Sequence, residues 1–311
     1  MRETFSIILI LLFFKISLGQ EMTHFTKENS ELTDDKIWGI AVDDDGNKWI
    51  GTGESGLIKF DGTNWTTYDK SNSEVKGSFI SPIFVDSNNN VWVSYSKPNG
   101  LVKFDGQTWK SFSSYETKLS DNSVIAITED ENGILYFGGT SGLTSFDGEN
   151  WKKIYLPKKL TIRAIAVKNS ELIYIGHNNG LLIFKDNDWE SLNDENSELQ
   201  NYVRSLKFDV NGDLIIGYGG NKTGGLSILS NDKWTHMNKE NSELSDNLVR
   251  DIEIDNFGLL WLATNNGLNI VTNDNIIPFY FRERGNAILD IAIEDKVYWI
   301  ATHFGLFKIL R

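Results

Sequence analysis

The chain of 311 residues has no cysteine, four prolines, three methionines and four histidines. Without thiols there can be no disulfides, no thiolate metal sites and no lipid-modified cysteine behind a leader. Four histidines leave few ligands for a metal centre or a histidine-based nucleophile, so no cofactor is expected. Cations are short as well: 30 Lys and Arg face 43 Asp and Glu, for a formal charge of −13. Such a surface repels the phosphate backbone, so nucleic acid is not an expected partner. Long apolar runs are missing after residue 20. The one run, Phe5 to Phe14 (FSIILILLFF), is ten residues, against the roughly 20 that span a bilayer. Arg2 precedes it, Lys15 interrupts its end, and Ser17-Leu18-Gly19 offers small residues before Gln20. This reads as a signal peptide over residues 1–19, with no membrane span after cleavage and a periplasmic or secreted destination. An uncleaved anchor is the competing reading. Removing Arg2, Glu3 and Lys15 with the leader makes the remainder one unit more acidic.

What is abundant is repetition. A Gly-Leu pair recurs at Gly56, Gly100, Gly142, Gly180, Gly225, Gly267 and Gly305, at intervals of 44, 42, 38, 45, 42 and 38 residues. The plainest copies are WIGTGESGLIKFDGTNW (Trp49 to Trp65) and YFGGTSGLTSFDGENW (Tyr136 to Trp151). A period near forty with four short apolar runs predicts four-stranded β-propeller blades. In blade one the strands are expected at Ile37–Val42, Lys48–Thr52, Leu57–Phe60 and Trp65–Tyr68, with turns at Asp43-Asp44-Asp45-Gly46, Gly53–Gly56 and Asp61-Gly62. The later inner strands follow at 80–85, 124–129, 162–167, 203–208, 249–254 and 288–293. They are apolar runs rather than alternations, as strands covered on both faces require.

The last copy, WIATHFGLFKILR (Trp299 to Arg311), stops after its third strand, while MTHFTKENSEL (Met22 to Leu32) matches WTTYDKSNSEV (Trp65 to Val75). The N-terminal segment should therefore supply the outer strand of the last blade. The expected architecture is an all-β, seven-bladed propeller over residues 20–311 with no open edge.

Within a repeat, residues demanded by the blade recur and recruited ones break the pattern. Of ten tryptophans, Trp49, Trp92, Trp261 and Trp299 share a second-strand position. Trp65, Trp109, Trp151, Trp189 and Trp234 share an outer-strand position. Only Trp38 is off-pattern. Its column, the second residue of each inner strand, reads Trp38, Ser81, Ile125, Arg163, Arg204, Arg250, Leu289. Three arginines in consecutive blades should converge at one side of the channel mouth. Guanidinium forks suit carboxylate, sulfate or phosphate, and a tryptophan opposite could stack on a sugar ring. In the competing reading the arginines pair with Asp251, Asp290 or other channel acids.

His177 and His303 fall in the second turns of blades four and seven, on the presumed ligand face; His24 and His236 are expected to be solvated rim residues. The second turns around Tyr95–Asn99 and Tyr218–Gly224 are enlarged, a modest functional hint. Neither the glycines of blade five nor the acidic first turns complete a phosphate or calcium loop.

The unit I-x-x-I-x-x-D-x-x-G-x-x-W-I-G-T-x-x-G-L-x-x-F-D-G resembles the two-component regulator propeller family. The resemblance implies the periplasmic sensor portion of bacterial hybrid histidine kinases that detect glycans. Those sensors set two propellers before an immunoglobulin-like domain, a membrane helix and a kinase; this sequence holds one propeller and no kinase motif. The leading expectation is thus a non-catalytic, sensor-like propeller binding an anionic glycan fragment, with Trp38, Arg163, Arg204, Arg250, His177 and His303 as site candidates. A protein-binding envelope scaffold is the alternative. A streptogramin-lyase-like enzyme, whose chemistry would need a histidine and magnesium, is the remote one.

Overall fold

The computed structural model describes residues 21–96, 99–119, 122–140, 142–220, 224–272, 275–281 and 286–310. The expected signal segment, residues 1–19, lies outside these. Among the described residues the strands form seven four-stranded antiparallel sheets, each meandering from an inner to an outer strand. Blade one comprises Ile37–Val42, Lys48–Thr52, Leu57–Phe60 and Trp65–Tyr68, at the bounds expected from the sequence. The inner strands of the other blades are Ser78–Val85, Val124–Glu129, Ile162–Asn169, Val203–Phe208, Val249–Ile254 and Ile288–Glu294. One helical turn, Ser114–Thr117, interrupts the crossover from blade two to blade three.

In five of the seven blades the first turn is closed by the aspartate that follows the inner strand: Asp43, Asp86, Asp130, Asp209 and Asp255. Asp86 accepts from the backbone N–H of Asn88 and Asn90, from Asn90 Nδ2 and, at 2.8 Å, from the indole N–H of Trp92. Asp43 does the same for Asp45, Asn47 and Trp49, and Asp255 for Phe257, Leu259 and Trp261. Asp130 binds the Tyr136 hydroxyl in the equivalent place. Satisfying the polar edge of the aromatic ring lets the rest of it be buried.

Each second-strand ring lies between blades. Trp49 packs with Ile80, Ile83 and Val93 of blade two, Trp92 with Val124 and Phe137 of blade three, and Trp261 with Ile288, Tyr298 and Ile300 of blade seven. Seven such clusters close the ring, the last joining Trp299 to Ile37, Ile50 and Phe60 of blade one. The blades approach closely enough that a Cβ on Gly51 would lie 2.2 Å from the carbonyl oxygen of Ile80, so the glycine of the W-I-G-T segment is a steric requirement.

Met22–Phe25 pairs antiparallel with Gly305–Leu310, with Thr23 opposite Lys308 and Phe25 opposite Leu306. The N-terminal strand is the outer strand of blade seven. His24 is not a solvated rim residue: it stacks flat on Phe307 at 4.0 Å, and its Nε2 lies 2.7 Å from the Phe304 carbonyl oxygen. His236 is likewise drawn in, with Nδ1 3.0 Å from Ser227 Oγ, which also accepts from the Tyr218 hydroxyl. Both positions lie half-buried against a neighbouring strand, where a ring can bond inward rather than to water.

Crossovers repeat their own device. In Asn193–Leu199 and Asn238–Leu244 the serine hydroxyl donates to the asparagine carbonyl four residues back and accepts from the N–H of the leucine, which is buried beneath.

Replacing Asp86 by alanine removes a carboxylate only 5% exposed and orphans several donors. We expect a loss of about 2–4 kcal/mol of stability with little change in m-value, measured by urea denaturation.

Candidate functional site

The inner strands surround a central cavity of about 770 Å³. All seven carry a register irregularity at the same place, for example between Ile37 and Gly39, Ile162 and Ala164, and Val203 and Ser205. In blade two the equivalent shift is between Ile80 and Ile83; in blades three, six and seven it brackets Ile125, Arg250 and Leu289. The residue skipped by the ladder is the one in the arginine column. A bulge takes a side chain out of the alternation and re-aims it. Trp38, Ser81, Ile125, Arg163, Arg204, Arg250 and Leu289 therefore all line the cavity.

Around this ring the chemistry is divided. Arg163, Arg204 and Arg250 form one arc. Arg163 Nε donates to Asn178 Oδ1 at 2.6 Å, and Arg250 Nη2 donates to Asn265 Oδ1 at 3.0 Å. Asn178 and Asn265 occupy the same place in the second turns of blades four and six. In blade five that place is Gly219, and a Cβ there would collide with the ring of Tyr202. Arg204 consequently has no side chain to brace it, and among the described residues it has neither a hydrogen-bond nor an ion-pair partner. Burial, and then the charge of Arg250, push its guanidinium below its ordinary value; it remains cationic at neutral pH.

Tyr202, just before the inner strand of blade five, and Phe79, at the start of that of blade two, have left-handed backbones, φ 62° and 53°. Bulky side chains rarely adopt this conformation. Tyr202 is held by its N–H to the Asn178 carbonyl and by its carbonyl to the Gly219 N–H, which sets its ring 4.9 Å from the Arg163 guanidinium. Phe79 lies edge-on to Trp38 at 5.5 Å, and the His303 ring packs tilted against Trp38 at 4.7 Å. Trp38, Phe79 and His303 make an aromatic arc across from the arginines.

Asp251 and Asp290 do not pair with the arginines. Asp290 accepts from the Ile40 N–H at 2.7 Å, and Asp251 accepts from the Ile291 N–H at 3.1 Å. Burial raises the Asp290 carboxyl well above the usual carboxylate range, and Asp251, to which it hydrogen-bonds, raises it further. Lower in the channel Lys207 and Glu253 form an ion pair. None of the three arginines has a carboxylate within ion-pair distance among the described residues. Three buried donor-bearing atoms at the mouth, Trp38 Nε1, Arg250 Nε and His303 Nε2, have no partner either.

Neither His303 nor His177 is part of the cavity lining; His303 reaches the edge of the mouth through its packing on Trp38. His177 is 2% exposed, and its Nδ1 accepts from the Asn179 N–H. Burial lowers its pKa to about 4, with Lys158 contributing. No histidine approaches a carboxylate within hydrogen-bond distance among the described residues, and no group of three His, Asp or Glu there could hold a metal ion. The donor set thus does not fit a histidine–magnesium centre. Part of each enlarged turn, residues 97–98 and 221–223, lies outside the described residues.

The two component regulator propeller family matches residues 118–141, the inner strand, first turn and second strand of blade three. The chain therefore carries that family's repeat, and the resemblance read from the sequence holds. No curated protein sequence matches. Among solved structures, the extracellular domain of the putative hybrid two component system BT3049 from B. thetaiotaomicron superposes with a TM-score of 0.76 at 22% identity, covering 93% of this chain and 41% of that one. The present chain thus spans about two fifths of the length of that protein. Virginiamycin B lyase from Staphylococcus aureus also gives 0.76, at 16% identity over 94% of this chain and 99% of the lyase. PorZ of Porphyromonas gingivalis, a surface component of its type-IX secretion system, gives 0.69 at 20% identity over 89% and 47%. At these identities the likenesses establish the shared propeller fold. No helix among the described residues is long and apolar enough to cross a membrane.

His177 gives a pH prediction. Its folded pKa of about 4 lies below its ordinary 6.5, so the unfolded chain binds more protons between the two values. The stabilisation is complete above pH 6.5 and is lost as pH falls toward 4, about 3 kcal/mol in all. Urea denaturation across that window should show this slope in the wild type and a shallower one in His177→Asn.

Proposed function

We propose that this chain is an exported, non-catalytic binding propeller, sensor-like in kind, whose channel mouth takes an anionic ligand of the uronic or sulfated glycan class. The observation that carries this reading is Arg204: a half-buried guanidinium between two like charges, with no hydrogen-bond or ion-pair partner among the described residues. Taking a cation even partly out of water disfavours its charged form unless something pairs with it. A carboxylate or sulfate entering from the mouth would supply that partner. Arg163 and Arg250, braced by Asn178 and Asn265, add two pre-positioned donors, so little side-chain entropy is lost on binding. Across the mouth Trp38, supported by Phe79 beside it, offers an aromatic surface for the body of a sugar ring.

The histidines support binding rather than chemistry. Burial lowers the pKa of His303 and keeps it neutral at pH 7, and no carboxylate orients it as a base. Export rests on residues 1–19, whose pattern is that of a cleaved leader; mass spectrometry of the exported protein should give an N-terminus at Gln20, and a retained leader would refute it.

Isothermal titration of acidic and neutral oligosaccharides tests the binding site. We expect selective binding of acidic sugars, weakened by about ten- to a hundredfold in Arg204→Ala, as loss of a charged hydrogen bond predicts. Equal affinity for neutral sugars, or no effect of Arg204→Ala, would refute it and leave a protein-binding scaffold.

A further inference from the structure

The crossover from blade three to blade four departs from the template of its neighbours. Four crossovers carry an N-S-E-L or N-S-E-V segment, ending at Leu32, Val75, Leu199 and Leu244; this one instead reads NWKKIYLPKKLTI (Asn150 to Ile162). In a strongly acidic protein it contains four lysines, Lys152, Lys153, Lys158 and Lys159, and no acid. All four are exposed. The next crossover, Asp188 to Tyr202, has the opposite character, with five acids and no lysine.

The basic segment leads to the mouth. Lys158 lies near enough to His177, at the end of the second strand of blade four, to help keep that imidazole neutral. Five residues later the chain reaches Arg163 in the mouth. Extended, that stretch covers at most about 18 Å, the length of a short oligosaccharide. Three residues before Lys158 stands Tyr155, 79% exposed, with Lys153 Nζ 5.8 Å from its ring. Tyr115, 82% exposed, has Lys118 Nζ 4.7 Å from its ring. It sits on the helical turn that packs beside the outer strand of blade three. Exposed tyrosines this bare are not needed by the blade, and each combines a flat apolar face with an adjacent cation.

We infer that this crossover is an extended subsite that guides an acidic polysaccharide from the rim into the mouth, so that the ligand is a chain several residues long rather than a single sugar. The inference rests on the reading of the mouth as an anion site. Alternating lysines and exposed tyrosine faces match a polymer that alternates carboxylate or sulfate groups with pyranose faces. The acidic crossover on the other side of blade four repels the same polymer and confines it to one path. Neighbouring cationic side chains raise the local concentration of a polyanion in a salt-dependent way.

The test is calorimetric titration of galacturonate dimer, tetramer and octamer into the full chain, with polyglutamate as a second probe and Lys158→Glu/Lys159→Glu as the variant. Both lysines are exposed, so the variant should fold. We expect affinity to rise with length in the wild type. The variant should bind the dimer as the wild type does and the octamer about tenfold more weakly, with a flatter salt dependence. Equal affinity for dimer and octamer, or an unchanged octamer in the variant, overturns the inference while leaving the mouth intact. An octamer that binds and weakens in the variant, with no binding of the dimer and no effect of Arg204→Ala, upholds the crossover and refutes the mouth. Polyglutamate binding as tightly as the octamer, with the same lysine dependence, overturns the glycan assignment in favour of an acidic protein segment.

Discussion

The fold depends on a carboxylate at the end of the inner strand that ties a turn to an aromatic ring. Asp43, Asp86 and Asp255 each close the first turn of a blade and hold the indole N–H of a tryptophan six residues later. The bond is local, but its consequence is not. A tryptophan whose N–H is satisfied can be buried completely, and Trp49, Trp92 and Trp261 are each the centre of an interface with the following blade. Blade seven uses Glu294 for Trp299, which packs back onto blade one. Five of the seven interfaces are thus specified inside one repeat and satisfied by the next; blades four and five place Tyr174 and Ile215 at that position without such a bond, and the N-terminal strand completes the circle.

This locality is why the fold was legible in the sequence. Turn carboxylates, glycines and second-strand aromatics recur at fixed offsets, and each has a role within its own blade. The strands of blade one and the inner strands of blades three, five and six fall at the bounds expected. In blades four and seven the inner strands run one or two residues longer, because backbone pairing continues past the last apolar residue; in blade two the strand begins two residues earlier, where Ser78 pairs with Ser96. What the sequence did not reveal was geometry created where the ladder fails. The column was expected at the channel mouth, but the bulge shared by all seven inner strands that turns it there was not, since no residue type marks it: tryptophan, serine, isoleucine, arginine and leucine all occupy the column.

Asn178 and Asn265 were missed for the same reason. They stand in second turns whose N-N-G wording reads as turn chemistry alone, and only the bulge brings an arginine within reach. The left-handed backbones of Phe79 and Tyr202 are also fixed by hydrogen bonds to a neighbouring blade's turn, a tertiary cause that local propensity does not record. For His24 and His236 the strand position was read correctly and the environment was not, since their partners, Phe307 and Ser227, lie on the adjacent strand of the sheet.

Asp251 and Asp290 lie one residue beyond the arginine column, which makes them natural partners for the arginines by sequence alone. The structure removes them from that role by two steps. The bulge separates consecutive side chains, so the carboxylates turn to the backbone N–H groups of Ile291 and Ile40 instead. Burial, and then the closeness of Asp251, raise the Asp290 carboxyl well above the usual carboxylate range. Lys207 and Glu253 cancel one another further down. Acids such as Asp246 and Asp251 act on Arg250 and Arg204 from a distance, but among the described residues no carboxylate comes within ion-pair distance of Arg163, Arg204 or Arg250. In a protein with a large excess of acid, three arginines without an ion-pair partner are thus gathered on one arc of a cavity lined by every blade.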